Sequence, residues 1–388
     1  MSGHPRDGSE LQALLAAALD GVAGLAPDAI PDWVAATAAQ VGFAAATVYL
    51  VDLQEVALLP WPASTGAPER VDGTLAGRVF QRGTPLQVSD GGWWFPLLDG
   101  GDRLGVLRLT DPTVPEEEAM TAAARLAALT ALLIAARRLR TDGIELAART
   151  REVSLAAELR WSLLPPRTLT APQVVISGHL EPAYEIAGDS YDYALNGETL
   201  DLAVFDAMGH GLRASRLANL AMTSYRHARR RGADQAAMYR QIDEALLAEF
   251  GDGSFATAHL ARLHVPTGVL SVVNAGHPHP LLIRSGAAHP LHFDPATPIG
   301  LGYHTAEVGT VQLEPGDAVL IYSDGVTEAR AAGGDLFGLD RVGDLAARAL
   351  ADGESIPETV RRLVTSLLTH RGVDLEDDAT FVMLCWRP

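Results

Sequence analysis

Acidic motifs recur at four places from residue 188 onward in this 388-residue sequence. They are Gly188-Asp189-Ser190-Tyr191-Asp192, Asp206-Ala207-Met208-Gly209-His210-Gly211, Ser323-Asp324-Gly325 and Asp377-Asp378-Ala379-Thr380. One Asp-Gly at the end of an apolar run is ordinarily a turn. Here Asp206 and Asp324 each end a strand-like run, Leu202 to Phe205 and Val319 to Tyr322, so carboxylates far apart in sequence can converge. Gathered carboxylates repel and raise one another's pKa unless a cation neutralises them. Hard divalent ions such as magnesium or manganese prefer oxygen ligands. Two of them about 3.5–4 Å apart orient a phosphoryl group for in-line attack.

The elements that must hold these residues divide the chain into three regions. From about Thr168 onward, Val174 to Leu180, Thr199 to Phe205, Ala256 to Val265, Leu270 to Asn274, Pro280 to Ile283, Ala318 to Tyr322 and Thr380 to Cys385 read as strands. Pro266-Thr267-Gly268 is a short hairpin connection, so that pair is antiparallel. Helical patterns cover Ala214 to Arg231, Gln235 to Phe250 and a block from Asp340 to His370. Many strands with grouped helices predict an α+β domain, an antiparallel sandwich with helices outside it.

Ahead of it, Leu11 to Pro112 alternates helical spacing (Leu11 to Leu19, Ile30 to Val41) with strand signals at Ala45 to Leu50, Trp94 to Leu97 and Leu104 to Leu109. This predicts a small sensor-like α/β domain on an antiparallel sheet. Of the adjacent Trp93 and Trp94, strand alternation puts one ring in the core and one on the surface, the alternative being that they stack on a ligand. Between these regions, Glu116 to Leu164 is helical, with Leu132, Leu139, Leu146 and Val153 at every seventh position. That spacing suits a two-stranded coiled coil and hence a homodimer, interrupted at Asp142-Gly143 and ended by Pro165-Pro166. The expected domains are 1–112, a linker at 113–166, and 167–388.

Composition removes several classes. The net charge of -18 disfavours nucleic acid and gives no attraction to an anionic membrane. Every Lys/Arg position is arginine, which excludes a P-loop lysine and Schiff-base chemistry. Cys385 is the only cysteine, so neither a disulfide framework nor a cysteine zinc site is available. Met1 to Glu10 is polar, and the longest apolar stretch, Leu126 to Ala136, is short for a bilayer. A cytoplasmic protein without a membrane partner is expected.

Two resemblances follow from these motifs. Thr47 to Asp52, Gly73 to Phe80, Phe95-Pro96-Leu97 and Leu104 to Leu107 resemble a GAF domain, which implies a small-ligand sensor or a dimerisation module. The four aspartate motifs, in order, resemble the SpoIIE branch of the PPM metal-dependent serine/threonine phosphatases. So do Asn274 to Pro278, Pro298-Ile299-Gly300, Glu314 to Asp317, Tyr322 to Ala329, Phe337-Gly338 and the leader Glu158 to Pro166.

That resemblance implies a C-terminal PPM α-β-β-α sandwich binding two or more Mn²⁺ or Mg²⁺ ions. Asp206 would bridge both metals, Asp189 with the Ala207 carbonyl would hold one, and Asp324 with Asp377 the other. Asp378 adjoins Asp377 as a second carboxylate, and Asp192 is expected to orient its loop rather than bind metal. His277 is expected to stabilise a turn and His210 to support the site, with a general acid for the leaving oxygen as the alternative for either, and no arginine presents itself as a phosphate clamp. The implied activity is hydrolysis of phosphoserine or phosphothreonine on a protein, with a STAS-type anti-sigma-factor antagonist as substrate. A catalytically inactive phosphatase-fold scaffold and a dimeric ligand sensor are the competing readings. Four acidic ligand positions argue against the scaffold.

Overall fold

The computed structural model describes residues 21–89, 91–113, 116–182, 184, 188–331, 333–371 and 378–388. The chain forms two compact units, Met1–Arg151 and Glu152–Pro388. The segment expected as a linker is thus shared between them. Leu11 to Leu19 lies outside the described residues.

In the N-terminal unit, α1 (Ile30–Gln40) leads into β1 (Phe43–Val51), β2 (Ala57–Trp61) and β3 (Glu69–Arg70). Then come α2 (Leu75–Arg82), β4 (Leu86–Gln87), β5 (Trp93–Asp99), β6 (Asp102–Pro112), α3 (Glu116–Arg137) and α4 (Asp142–Ala147). The sheet runs β3-β2-β1-β6-β5-β4 with antiparallel neighbours. Apolar side chains of α1 and α3 fill one face together with Val48, Phe95 and Leu107. On the other face Val79 and Phe80 of α2 pack with Tyr49, Trp94 and Val106.

Covering both faces corrects the expectation for the tryptophans. Trp93 and Trp94 are both buried, one in each core, because strand alternation meets helices on either side. The predicted heptad does not lie on one helix. After α3 come a tight turn at Arg138–Arg140 and then α4, whose N-cap Thr141 accepts from the Gly143 amide. Leu132, Leu139 and Leu146 are exposed. By length and composition Glu117–Arg140 could cross a membrane, although the apolar stretch expected there was short for a bilayer, and half of its 18-residue apolar window is buried inside the protein.

The C-terminal unit opens with α5 (Leu155–Trp161), β7 (Thr168–Ala171), β8 (Val174–Glu181), β9 (Asp189–Asn196) and β10 (Thr199–Ala207). Next are α6 (Gly211–Arg230), α7 (Gln235–Phe250), β11 (Ala256–His264), β12 (Val269–Ala275), β13 (Leu281–Arg284), β14 (Ala287–Pro290) and β15 (Gly309–Gln312). The last elements are β16 (Ala318–Tyr322), α8 (Asp324–Thr327), α9 (Leu339–Ala351), α10 (Ile356–Arg371) and β17 (Ala379–Trp386).

Two antiparallel sheets result, β15-β12-β11-β10-β9 and β14-β13-β16-β17-β8-β7. Strand alternation builds three apolar layers from them. On β10, Leu202 and Val204 point into the inter-sheet core, whereas Ala203, Phe205 and Ala207 pack under α6 and α7. On β17, Val382 and Leu384 face the same inter-sheet core, and Phe381, Met383 and Cys385 pack under α9 and α10. The sandwich is α-β-β-α, as expected. Burying alternate faces of every central strand pins the register, since a one-residue slip would turn each apolar set outward.

Candidate active site

Asp189 opens β9 and Asp206 lies near the end of β10, and the antiparallel register sets them directly opposite each other. Opposed side chains in such a pair have Cβ atoms about 5 Å apart, and like charges there repel. Asp189 is 1% exposed while Asp206 is half-buried, so the pair lines the rim of the sheet. After Asp206, Gly209 and Gly211 adopt positive φ, which turns the chain from β10 into α6.

Gly188 is fixed by sterics. A Cβ at this position would meet the Ala207 carbonyl oxygen at 2.6 Å, so only glycine lets that carbonyl approach the Asp189 backbone. The Gly188 carbonyl in turn accepts from the Ala207 amide at 3.2 Å.

The other sheet delivers its residues to the same rim. Ser323 and Asp324 follow β16, and Asp378 precedes β17, the strand paired with β16. Ser323 donates its amide to the Thr380 carbonyl at 3.2 Å, and its hydroxyl accepts from the Thr380 amide at 2.9 Å. Thr380 then donates its hydroxyl to Asp189 Oδ2 at 2.7 Å, joining the two sheets. Asp378 Oδ2 accepts from the Gly188 amide and, at 3.1 Å, from the Asp189 amide. Its carboxylate therefore serves the backbone ahead of β9. Asp377 lies outside the described residues.

Electrostatics single out Asp189. Burial, then Asp206, then Asp378 push its carboxyl well above the usual range, and hydrogen bonds from Ser323 and Thr380 pull it back only in part. This is a buried site with an excess of negative charge, whose donors are carboxylate oxygens and an apposed backbone carbonyl. Such a donor set fits a hard divalent cation. Among the described residues, no three acidic, histidine or cysteine side chains form a metal-holding group.

One cation near these carboxylates escaped sequence reasoning. Arg160 of α5 is 1% exposed, and Asp378 and Asp189 are the charges that favour its protonated form. Burial outweighs them and lowers the guanidinium to about 10. A signal existed, since Ala156, Ala157 and Arg160 share the buried face of one short helix within the leader segment.

Asp192 also departs from expectation. It sits in mid-strand, where Oδ1 accepts from Arg226 at 2.6 Å and Oδ2 from Arg229 at 2.8 Å. Its work is to tie α6 to the sheet, because a carboxylate 2% exposed there needs two cationic partners. His277 is buried in the turn after β12. Its amide donates to Asn274 Oδ1 at 2.8 Å, its Nδ1 shares a 2.7 Å hydrogen bond with Thr257, and its ring meets His259 edge-on. His210 is exposed at the start of α6.

Comparisons with known proteins bear on the same region. Residues 196–387 match the family model of Stage II sporulation protein E (SpoIIE). The chain is 22% identical over 236 residues to the phosphoserine phosphatase RsbU of Bacillus subtilis (strain 168), covering 60% of this chain and 69% of RsbU. It is 23% identical over 220 residues to protein IcfG of Synechocystis sp. (strain ATCC 27184 / PCC 6803 / Kazusa), covering 49% of this chain and 35% of IcfG. Among solved structures, the SiaA-PP2C domain of Pseudomonas aeruginosa shares the fold. The TM-score is 0.50 at 22% identity, over 66% of this chain and 99% of that domain.

Proposed function

We propose that this chain, whose residues 196–387 match the SpoIIE family model, is a metal-dependent phosphatase of that family and hydrolyses phosphoserine or phosphothreonine on a protein substrate. The observation that carries the reading is the Asp189–Asp206 pair. It sets two carboxylates face to face, with Asp378 as a third charge acting on Asp189, at the rim where both sheets deliver acidic residues.

In this reading Asp206 would contribute to holding both ions, Asp189 and the Ala207 carbonyl would help to hold one, and Asp324 and Asp377 the other. The ions are Mn²⁺ or Mg²⁺, two or more. When bound, they supply Lewis-acid charge for the phosphoryl oxygens. The protein's own part is positioning. Thr380 and Ser323 fix the Asp189 carboxylate, Asp378 holds the backbone that presents it, and Gly188 lets the Ala207 carbonyl come close.

The substrate we propose is a phosphorylated STAS-type anti-sigma-factor antagonist in a partner-switching pathway, a reading supported by the likeness to RsbU. The N-terminal unit is read as a GAF-like sensor in a cytoplasmic homodimer. Its two-faced sheet suits the first assignment, and the exposed Leu132, Leu139 and Leu146 suit the second.

The test is manganese-dependent hydrolysis of para-nitrophenyl phosphate and of a phosphorylated STAS protein, abolished by chelation and by Asp206→Asn. A folded protein that turns over neither would overturn the enzyme reading in favour of a scaffold.

A further inference from the structure

At the end of the first sheet remote from the aspartates lies a cavity of about 700 Å³ lined by Ala194, Asn196, Thr199, Asp201, Arg229, Arg230, Gly232 and Arg262. Three guanidinium groups and one carboxylate line it, in a chain of net charge -18. We propose that this cavity is a binding site for a small phosphate-bearing anion, distinct from the aspartate site.

The arginines are held in place before any ligand arrives. Arg229 donates Nη1 to the buried Asp192 at 2.8 Å and lies over the Tyr225 ring. Arg262 donates Nε to Asp201 at 2.7 Å and Nη2 to the Ala233 carbonyl at 3.2 Å. Each guanidinium carries five N–H donors, so these bonds occupy a minority of them. Arg230 is exposed and has no ion-pair partner among the described residues. Planar guanidinium forks match phosphate oxygens in bidentate pairs, and a fork already braced by a carboxylate loses little entropy on binding.

Size and charge narrow the ligand class. Cavities of roughly 300–1,000 Å³ take small molecules, so this one has room for a phosphate with a further body attached. Asn196 and Thr199 supply uncharged hydrogen-bonding groups beside the arginines. The carbonyl end of α6 contributes about half a negative charge near Arg230, which the three guanidiniums outweigh.

The cavity is also physically separate from the proposed chemistry. Asp189 and Asn196 are the two ends of β9, which at the usual rise lie about 23 Å apart. Asp206 and Thr199 are similarly apart on β10. Binding in the cavity therefore does not require the aspartates, and its test does not depend on whether the chain is a phosphatase.

Full-length protein stripped of metals by dialysis is titrated with inorganic pyrophosphate in a calorimeter. Saturable binding is expected for the wild type and, unchanged, for Asp206→Asn. Arg230→Glu reverses one charge at an exposed position, so the core is untouched, and should weaken the affinity by about tenfold or more. Raising the salt should weaken the wild type further. No saturable binding by the wild type, equal affinity in Arg230→Glu, or loss of binding in Asp206→Asn would each overturn the proposal.

Discussion

Asp206 carries two opposing consequences in one side chain. As the proposed bridging ligand it supports turnover, yet as the residue opposite Asp189 it adds repulsion to a buried rim. Asp206→Asn keeps the shape and removes the charge. Activity with manganese should fall by more than about a hundredfold, since even residues that merely orient ligands are worth 10–100-fold. Without metal, the same variant should be more stable than the wild type by about 0.2–1 kcal/mol, the scale of a cross-strand charge contact. Thermal unfolding in chelator, alongside the turnover assay, measures both. A metal-free variant less stable than the wild type would remove the repulsion argument.

The element that changes the picture most is α5, a helix of seven residues. Its Ser154 N-cap accepts from the Ala157 amide and donates its own amide to the Tyr184 carbonyl, while Arg226 holds the Leu163 carbonyl beyond its end. Between these anchors Arg160 is buried beside Asp378 and Asp189. Removing one partner from a buried charge group costs about 3–5 kcal/mol. A protein beginning at Glu152 is therefore expected to fold with the stability of the whole C-terminal unit. One beginning at Thr168, where the strands start, should lose about 3 kcal/mol or more, and Arg160→Ala in the full chain should reproduce most of that loss. Urea unfolding of the three proteins decides it, and equal midpoints would show that α5 is dispensable.

At the scale of the whole molecule, pH acts through buried histidines. His259 donates Nε2–H to the Pro278 carbonyl at 2.8 Å, and burial lowers its pKa to about 4 from the ordinary 6.5. His277 beside it is pushed down as well, first by burial and then by His259. Between pH 6.5 and 4 the unfolded chain takes up a proton at His259 that the folded one refuses. Stability is then complete above about pH 6.5 and falls as the pH drops toward 4. Going from pH 7.5 to 5, His259 should withdraw on the order of 2 kcal/mol. In His259→Gln the decline should be shallower by that amount. Parallel stability curves for the two proteins would contradict this account.

How far the sequence went follows from the range of the forces involved. Strands and helices of the sandwich were legible because period-2 and period-3.6 patterns are local. α7 spans Gln235–Phe250 as read, and β16 spans Ala318–Tyr322. Asp189, Asp206 and Asp324 stood out because turn glycines beside strand-end carboxylates are also local signals. The sequence could not say that Asp189 faces Asp206, that Thr380 ties one sheet to the other, or that Asp192 belongs to two arginines of α6. Register and sheet stacking decide those contacts, and they are satisfied jointly by residues up to 191 positions apart. Likewise Trp93 and Trp94 are both buried only because helices cover both faces of one sheet, and Arg160 reaches the carboxylates only because a short helix folds back upon them. The sequence by itself determined the elements and the acidic residues they carry. Tertiary structure decided which charges meet, because charges in a buried place are compensated by whatever the packed fold brings within reach.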